Sequence, residues 1–210
     1  MTISYTTFIK HASKLTKHVG EARPVLQGVF HRAKGGALIA TDSHRLYKAT
    51  GVYSGGTDAV INPVTGETID GVYPDTDKII PDNPKAEFQL ESIDRIVPML
   101  KPFSELARYS RYEDKPDKKG DQLIDLVTAF KDLITKTRKN YVPAKLVIGG
   151  SNGEDTPVSE TLRATYLLEA LDLFRDAGYD GATLQYFGET RPIVIIHDEL
   201  LALIMPVWTF

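Results

Sequence analysis

Two stretches of this chain, one near each end, spell the same order of elements: an amphipathic helical stripe followed at once by short strands separated by tight turns. Such a unit has one apolar face to hide, so an array of them builds antiparallel sheets with helices on one face. In the first, Phe8, Ala12, Leu15 and Val19 recur at i, i+4, i+7 and i+11 within Tyr5 to Val19, the spacing of one helical face. RPVLQGVFHR and ALIATDSHRLYKAT then flank Lys34-Gly35-Gly36, whose glycines permit a tight turn, so they read as a β-hairpin with a further strand over Leu46 to Val52. In the second, Leu167, Leu168, Leu171 and Phe174 line a helix over Thr165 to Asp176 that Gly178 stops. ATLQYFG, PIVIIHD and LLALIMPVW follow as three strands. With Thr2-Ile3-Ser4 read as an opening strand, each unit is β-α-β-β-β, and the expected fold class is α+β with antiparallel sheets and helices on one face.

Between the two units the signal changes. Tyr53 to Pro84 is rich in Gly, Pro, Asp and Thr, which favours irregular connections and short edge strands. Phe88 to Leu106 reads as a helix that Pro98 and Pro102 should kink or split. Leu123, Val127, Phe130 and Ile134 read as another helical stripe, ending near Lys139. Residues 108 to 120, RYSRYEDKPDKKG, carry dense mixed charge and almost no aliphatic content, the pattern of a solvated linker. AKLVIGG then returns to strand and SNGEDTPVS to loop. The expected organisation is a first unit at 1–84, a divergent helical insertion at 85–145 containing the linker, and a second unit at 146–210.

Composition narrows the chemistry. The chain has no cysteine, so a disulfide framework, a zinc-thiolate site and a thiol nucleophile are all excluded. No window approaches the roughly 20 apolar residues that cross a bilayer, and the opening residues lack a secretory apolar run, so a cytoplasmic protein without membrane contact is expected. With 25 Lys and Arg against 28 Asp and Glu, bulk charge does not attract a polyanion. Nucleic-acid contact would need a local patch, and the first helix offers one. Lys10, Lys14 and Lys17 fall opposite its apolar stripe, with His11 and His18 flanking, although a basic solvent face is common in helices that bind nothing. The final helix is acidic there, through Glu169, Asp172 and Asp176. Arg108, Tyr109, Arg111 and Tyr112 interleave cations with aromatics, but Glu113 and Asp114 follow at once.

Catalytic readings find little support. Asp42 and His44 could form a proton-transfer pair, yet no nucleophile motif stands near them. His11 and His18 are seven apart, whereas metal-binding helices use i, i+3 or i, i+4 pairs. Gly149-Gly150-Ser151-Asn152-Gly153 follows a strand but lacks the Lys-Ser/Thr ending of a phosphate loop. No metal, cofactor or enzymatic activity is expected. A nucleic-acid enzyme built from dispersed carboxylates is the alternative of another class.

Three groups of residues carry more information than these. Arg23-Pro24-Val25-Leu26-Gln27-Gly28-Val29 leads to Ala40-Thr41-Asp42-Ser43-His44-Arg45-Leu46; Asp70-Gly71-Val72-Tyr73-Pro74-Asp75 leads to Lys78-Ile79-Ile80-Pro81; Tyr166 to Leu171 leads to Leu203-Ile204-Met205-Pro206-Val207-Trp208. In this order they resemble segments of bacterial sliding clamps, the beta subunits of DNA polymerase III that tether polymerase to template. The family's Thr-Asp-Gly-His-Arg-Leu loop has Gly where this chain has Ser43. The resemblance covers about the first 80 and last 50 residues, as for a reduced or phage-type relative. It implies a DNA clamp fold and a non-enzymatic processivity or recruitment factor whose partners are DNA polymerase or other replication and repair proteins. Their short peptide motifs would dock in a cleft lined by Thr41, His44, Arg45, Leu46, Pro74, Lys78, Ile79, Leu203, Met205, Pro206 and Val207. It further implies non-specific double-stranded DNA binding through Lys10, Lys14 and Lys17, and a homo-oligomer able to encircle DNA. A clamp-mimicking decoy that binds peptides without DNA is the other reading.

Overall fold

A computed structural model describes the backbone of residues 2–109, 123–127, 132–136, 145–147, 149–151 and 159–206, and the side chains of 2–102 and 162–206. The first unit opens on helix α1 (Tyr5–Thr16), where the Ser4 side chain accepts from the Thr7 amide as an N-cap. That cap explains one departure from expectation: residues 2–4 are not a strand but the lead-in to the helix, with Ile3 sunk in the core. A short 3₁₀ turn (Pro24–Gln27) precedes β1 (Val29–Arg32), β2 (Ala37–Thr41) and β3 (Arg45–Ala49). The long polar connection contributes only β4 (Ala59–Ile61) and a second 3₁₀ turn (Thr76–Ile79).

The centre of the chain differs more. Phe88 belongs to strand β5 (Ala86–Leu90), and helix α2 (Ile93–Tyr109) begins after it. The helix runs through Pro98 and Pro102. Each proline denies a donor to the carbonyl four residues back, and those carbonyls belong to Asp94 and Pro98, both exposed residues, so the loss falls on the solvent side of the helix. The helix expected over 123–139 is instead a pair of antiparallel strands, β6 (Leu123–Val127) and β7 (Asp132–Lys136), in register from Leu123 with Lys136 to Val127 with Asp132. An apolar spacing of four, three and four residues fits two short strands around a turn as well as one helix, and Ile124, Val127, Ile134 and Thr135 tip the balance to strand. β8 (Lys145–Val147) and β9 (Gly149–Ser151) follow, then β10 (Ser159–Arg163), α3 (Ala164–Asp176), β11 (Ala182–Tyr186), β12 (Ile193–His197) and β13 (Leu200–Ile204). Arg108 and Tyr109 end α2; Arg111, Tyr112 and the rest of the expected linker lie outside the described residues, as do residues 152–158 of the expected loop SNGEDTPVS, whose Ser151 and Ser159 belong to β9 and β10.

Among the described residues, nine strands form one sheet in the order β4-β1-β2-β3-β13-β12-β11-β5-β9, and four form a second, β10-β6-β7-β8. The first and last blocks of sequence therefore meet directly. β3 and β13 are antiparallel neighbours, pairing Arg45 with Ile204, Leu46 with Leu203 and Tyr47 with Ala202. Alternation along these strands sorts side chains to two faces. On one, Tyr47, Ala202 and Ile204 join a large core with Phe8 and Leu15 of α1, Ile93 and Leu100 of α2, and Leu171 and Phe174 of α3. On the other, Leu46 and Leu203 join Ile39, Tyr73, Phe187 and Val194 in a smaller cluster that the irregular connection covers.

Candidate functional site

The loop between β2 and β3 is fixed by its own side chains. Asp42 Oδ1 accepts the amides of His44 (2.9 Å) and Arg45 (2.7 Å), while the Thr41 hydroxyl donates to the Arg45 carbonyl at 2.6 Å and accepts from the Ser43 amide at 3.1 Å. Ser43 takes φ 74°, the left-handed region that favours glycine, so the one departure from the family loop sits where a side chain costs about 1 kcal/mol. Its hydroxyl gains a contact in return, accepting from Arg23 at 2.6 Å. The Asp42 carboxylate thus organises backbone and does not serve the His44 ring.

The far end of β13 reaches the same loop, where the Met205 amide donates to the His44 carbonyl at 2.8 Å. This contact joins two of the sequence segments that resemble clamps. Thr41, Leu46 and Leu203 are buried, and Leu46 and Leu203 share the outer cluster, with Met205 half-buried against it. Pro206 is half-buried as well; Val207, Trp208 and Phe210 lie outside the described residues.

Tyr73 anchors the third segment on this face. Its ring stacks on Phe30 with centroids 5.1 Å apart and an 18° interplanar angle. The 3₁₀ turn beyond it is pinned by Asp77, which receives Arg32 at 2.6 Å and Lys48 at 2.7 Å from the sheet. Those two donors hold the Asp77 carboxyl below its ordinary pKa. Pro74, Lys78 and Ile79 are left exposed beside this turn, Ile79 at 48% and Lys78 paired with Asp75 at 3.1 Å.

His44 and Arg45 do not share that surface. Arg45 turns to the helix side, 4% exposed, bridging Asp42 (2.8 Å) and Glu169 of α3 and lying 4.0 Å over the Tyr166 ring. Burial opposes its charge, but Tyr47, Asp42 and Glu169 together outweigh burial and hold the guanidinium above its ordinary pKa. His44 stacks on the same Tyr166, centroids 6.5 Å apart. Both residues line a cavity of about 730 Å³ between the chain after α1, the β2–β3 loop and the start of α3, with His18, Arg23, Arg163 and Tyr166 around it. Arg45 belongs to a structural triad as much as to a rim. Sequence reading missed Glu169 and Tyr166 as its partners, and the cavity with them.

The basic stripe of α1 is altered by packing. Phe8, Ala12 and Leu15 are buried as expected, but His11 is buried with them. His11 Nε2 donates to Asp176 at 2.9 Å, and Lys10 reaches the same oxygen at 2.8 Å, tying α1 to the last turn of α3. Lys10 is therefore neutralised locally, Lys14 is half-buried and Lys17 is exposed. Asp172 is likewise matched by Arg175 at 2.7 Å, so much of the acidity expected of α3 is spent internally. Among the described residues no group of three metal-ligating side chains occurs, and no helix is long and apolar enough to cross a membrane.

Comparison with protein-family models and with curated proteins finds no match. Solved structures do match, at low identity. The DNA polymerase sliding clamp of Bacillus subtilis superposes with a TM-score of 0.73 at 19% identity over 98% of this chain and 63% of that one. The beta subunit of DNA polymerase from Streptococcus pyogenes gives 0.74 at 17% over 97% and 64%. The H. pylori beta clamp, solved in complex with diflunisal, gives 0.75 at 14% over 99% and 65%. This chain thus spans a little under two thirds of the length of each. Over nearly its whole length, the chain has the fold of the bacterial sliding clamps.

Proposed function

We propose that this protein is a clamp-like, non-enzymatic recruitment factor that docks short partner peptides at the junction of β3 and β13. The observation that carries the reading is the contact of the Thr41–Leu46 loop with the Leu203–Pro206 end through Met205 and His44. Around it, half-buried Met205 and Pro206 and exposed Pro74 and Ile79 supply apolar area, and methionine adapts to varied side chains. A fluorescein-labelled peptide carrying the clamp-binding motif of a bacterial replicative polymerase tests it by polarisation. Micromolar binding is expected, weakened at least about tenfold in the Ile79→Asp/Met205→Ala variant. No binding up to about 1 mM peptide would sink the reading.

DNA association and self-assembly into a ring belong to the same proposal. Lys14 and Lys17 remain its cationic candidates on α1, with Lys10 committed to Asp176. Contacts of this kind are made to phosphates, so they weaken with salt and carry no sequence preference. Lys14→Glu/Lys17→Glu should release double-stranded DNA at lower salt than the parent in a retention assay. Unchanged elution would remove α1 from the DNA surface and favour the decoy reading.

A further inference from the structure

The connection between β4 and β5 covers the outer cluster with little backbone tied to the sheet. Its last tie is the Ile69 amide to the Val60 carbonyl at 2.8 Å, and the next comes at Lys85, whose amide donates to the Tyr186 carbonyl at 2.7 Å. Among the described residues no backbone bond links 70–84 to the rest of the fold, so side chains hold this stretch down. Tyr73 and Ile80 pack into the outer cluster on either side of the Thr76–Ile79 turn, but apolar contact is non-directional and lets a turn slide.

Asp77 supplies the direction. One carboxylate oxygen receives Arg32 Nη1 at 2.6 Å and the other receives Lys48 Nζ at 2.7 Å. By the period of two, Arg32 shares the outer face of β1 with Phe30, and Lys48 shares that of β3 with Leu46. β2 lies between these strands, so the carboxylate is held from two sides over the middle one. The two cations are only 24% and 18% exposed, and among the described residues no other carboxylate pairs with either.

We propose that Asp77 is a positioning residue for peptide docking: by latching the Thr76–Ile79 turn to β1 and β3, it sets where the Ile79 side chain stands, without itself touching the peptide. The proposal rests on docking at β3 and β13 and names what shapes one wall of that surface. Ile79 lies two residues from the latch and is 48% exposed, so its own packing fixes it only in part. A wall placed before the partner arrives needs less ordering on binding, and that saving is what Asp77 contributes to affinity.

The fluorescein-labelled polymerase peptide is titrated against the parent, Asp77→Asn, Ile79→Ala and the double variant, with circular dichroism confirming that each folds. Asparagine keeps the shape and removes the charge that draws both cations. The dissociation constant should rise about fivefold in Asp77→Asn, but less than about twofold when the same change is made in Ile79→Ala, where the latch has little side chain left to place. The chain has no cysteine, so a nitroxide on Lys78→Cys reports the turn alone, and its spectrum should sharpen toward greater mobility when Asp77→Asn is added. An equal loss of affinity in both backgrounds overturns the proposal, because Asp77 would then act on something other than Ile79. Parent-like affinity in Asp77→Asn, or an unchanged nitroxide spectrum, overturns it while docking stands. A parent that binds no peptide overturns docking and this role together, whatever the nitroxide reports.

Discussion

Arg45→Ala lowers the unfolding free energy by about 3 kcal/mol, toward the lower end of the range for breaking a buried ion pair. The side chain is 4% exposed and its carboxylate partners are 8% exposed at Asp42 and 32% at Glu169, so alanine leaves both carboxylates without their cation, Asp42 the more buried of the two. Asp42 still accepts two loop amides, which moderates the loss. Arg45→Lys should recover only part of it, since an ammonium cannot span Asp42 and Glu169 in a planar fork or lie flat on Tyr166. Urea titration reads both effects as a fall in midpoint at constant slope. A change below about 1 kcal/mol for alanine would mean that the triad is solvated and that loop and helix are held by other contacts.

That triad also marks where sequence reasoning stopped. The helical stripes of α1 and α3 were legible because long segments repeat one period, and the five-residue closing strands because Gly181, Gly188, Pro192 and Asp198 set them apart. Short segments without such punctuation were not. Five-residue β5 ran into the apolar pattern of α2, and β6 with β7 mimicked a helix because their combined spacing fits either period. For the site, order along the chain named three segments but treated them as one lining. The period of two was available at Arg45-Leu46-Tyr47, and it sends Leu46 to the outer cluster and Arg45 to the helices. What no local pattern could supply was Glu169, 124 residues away. His11 is a similar case. Its place beside the apolar stripe was readable, but its burial depends on Asp176 arriving from α3.

Acidification should destabilise the fold well before carboxylates titrate, because two histidines are buried neutral. His31 Nδ1 donates to the Val29 carbonyl (3.0 Å), Nε2 accepts from the Tyr5 hydroxyl (2.9 Å), and the Tyr53 ring covers one edge at 5.1 Å. His11 donates through Nε2 to Asp176, and its Nδ1 is buried with no partner. Burial lowers both pKa values below 6.5; at His11 Lys14 and Lys10 push the same way, while Asp176 opposes without prevailing. Between the folded pKa and 6.5 the unfolded chain binds more protons than the native one, so stability is full above about pH 6.5 and falls as pH drops through that window. Each histidine contributes a slope of at most about 1.4 kcal/mol per pH unit, or about 2.7 for the pair. Asp176 acts in a separate, lower window: its pKa is depressed, so its contribution is present above 3.8 and is lost only as pH falls below that. Urea midpoints from about pH 7.5 to about pH 5 should therefore decline in the parent and decline half as steeply in His31→Phe, whose phenyl ring keeps the packing and leaves the exposed Tyr5 hydroxyl to water. Parallel pH curves for parent and variant would show that His31 titrates alike in both states and adds nothing to the acid sensitivity.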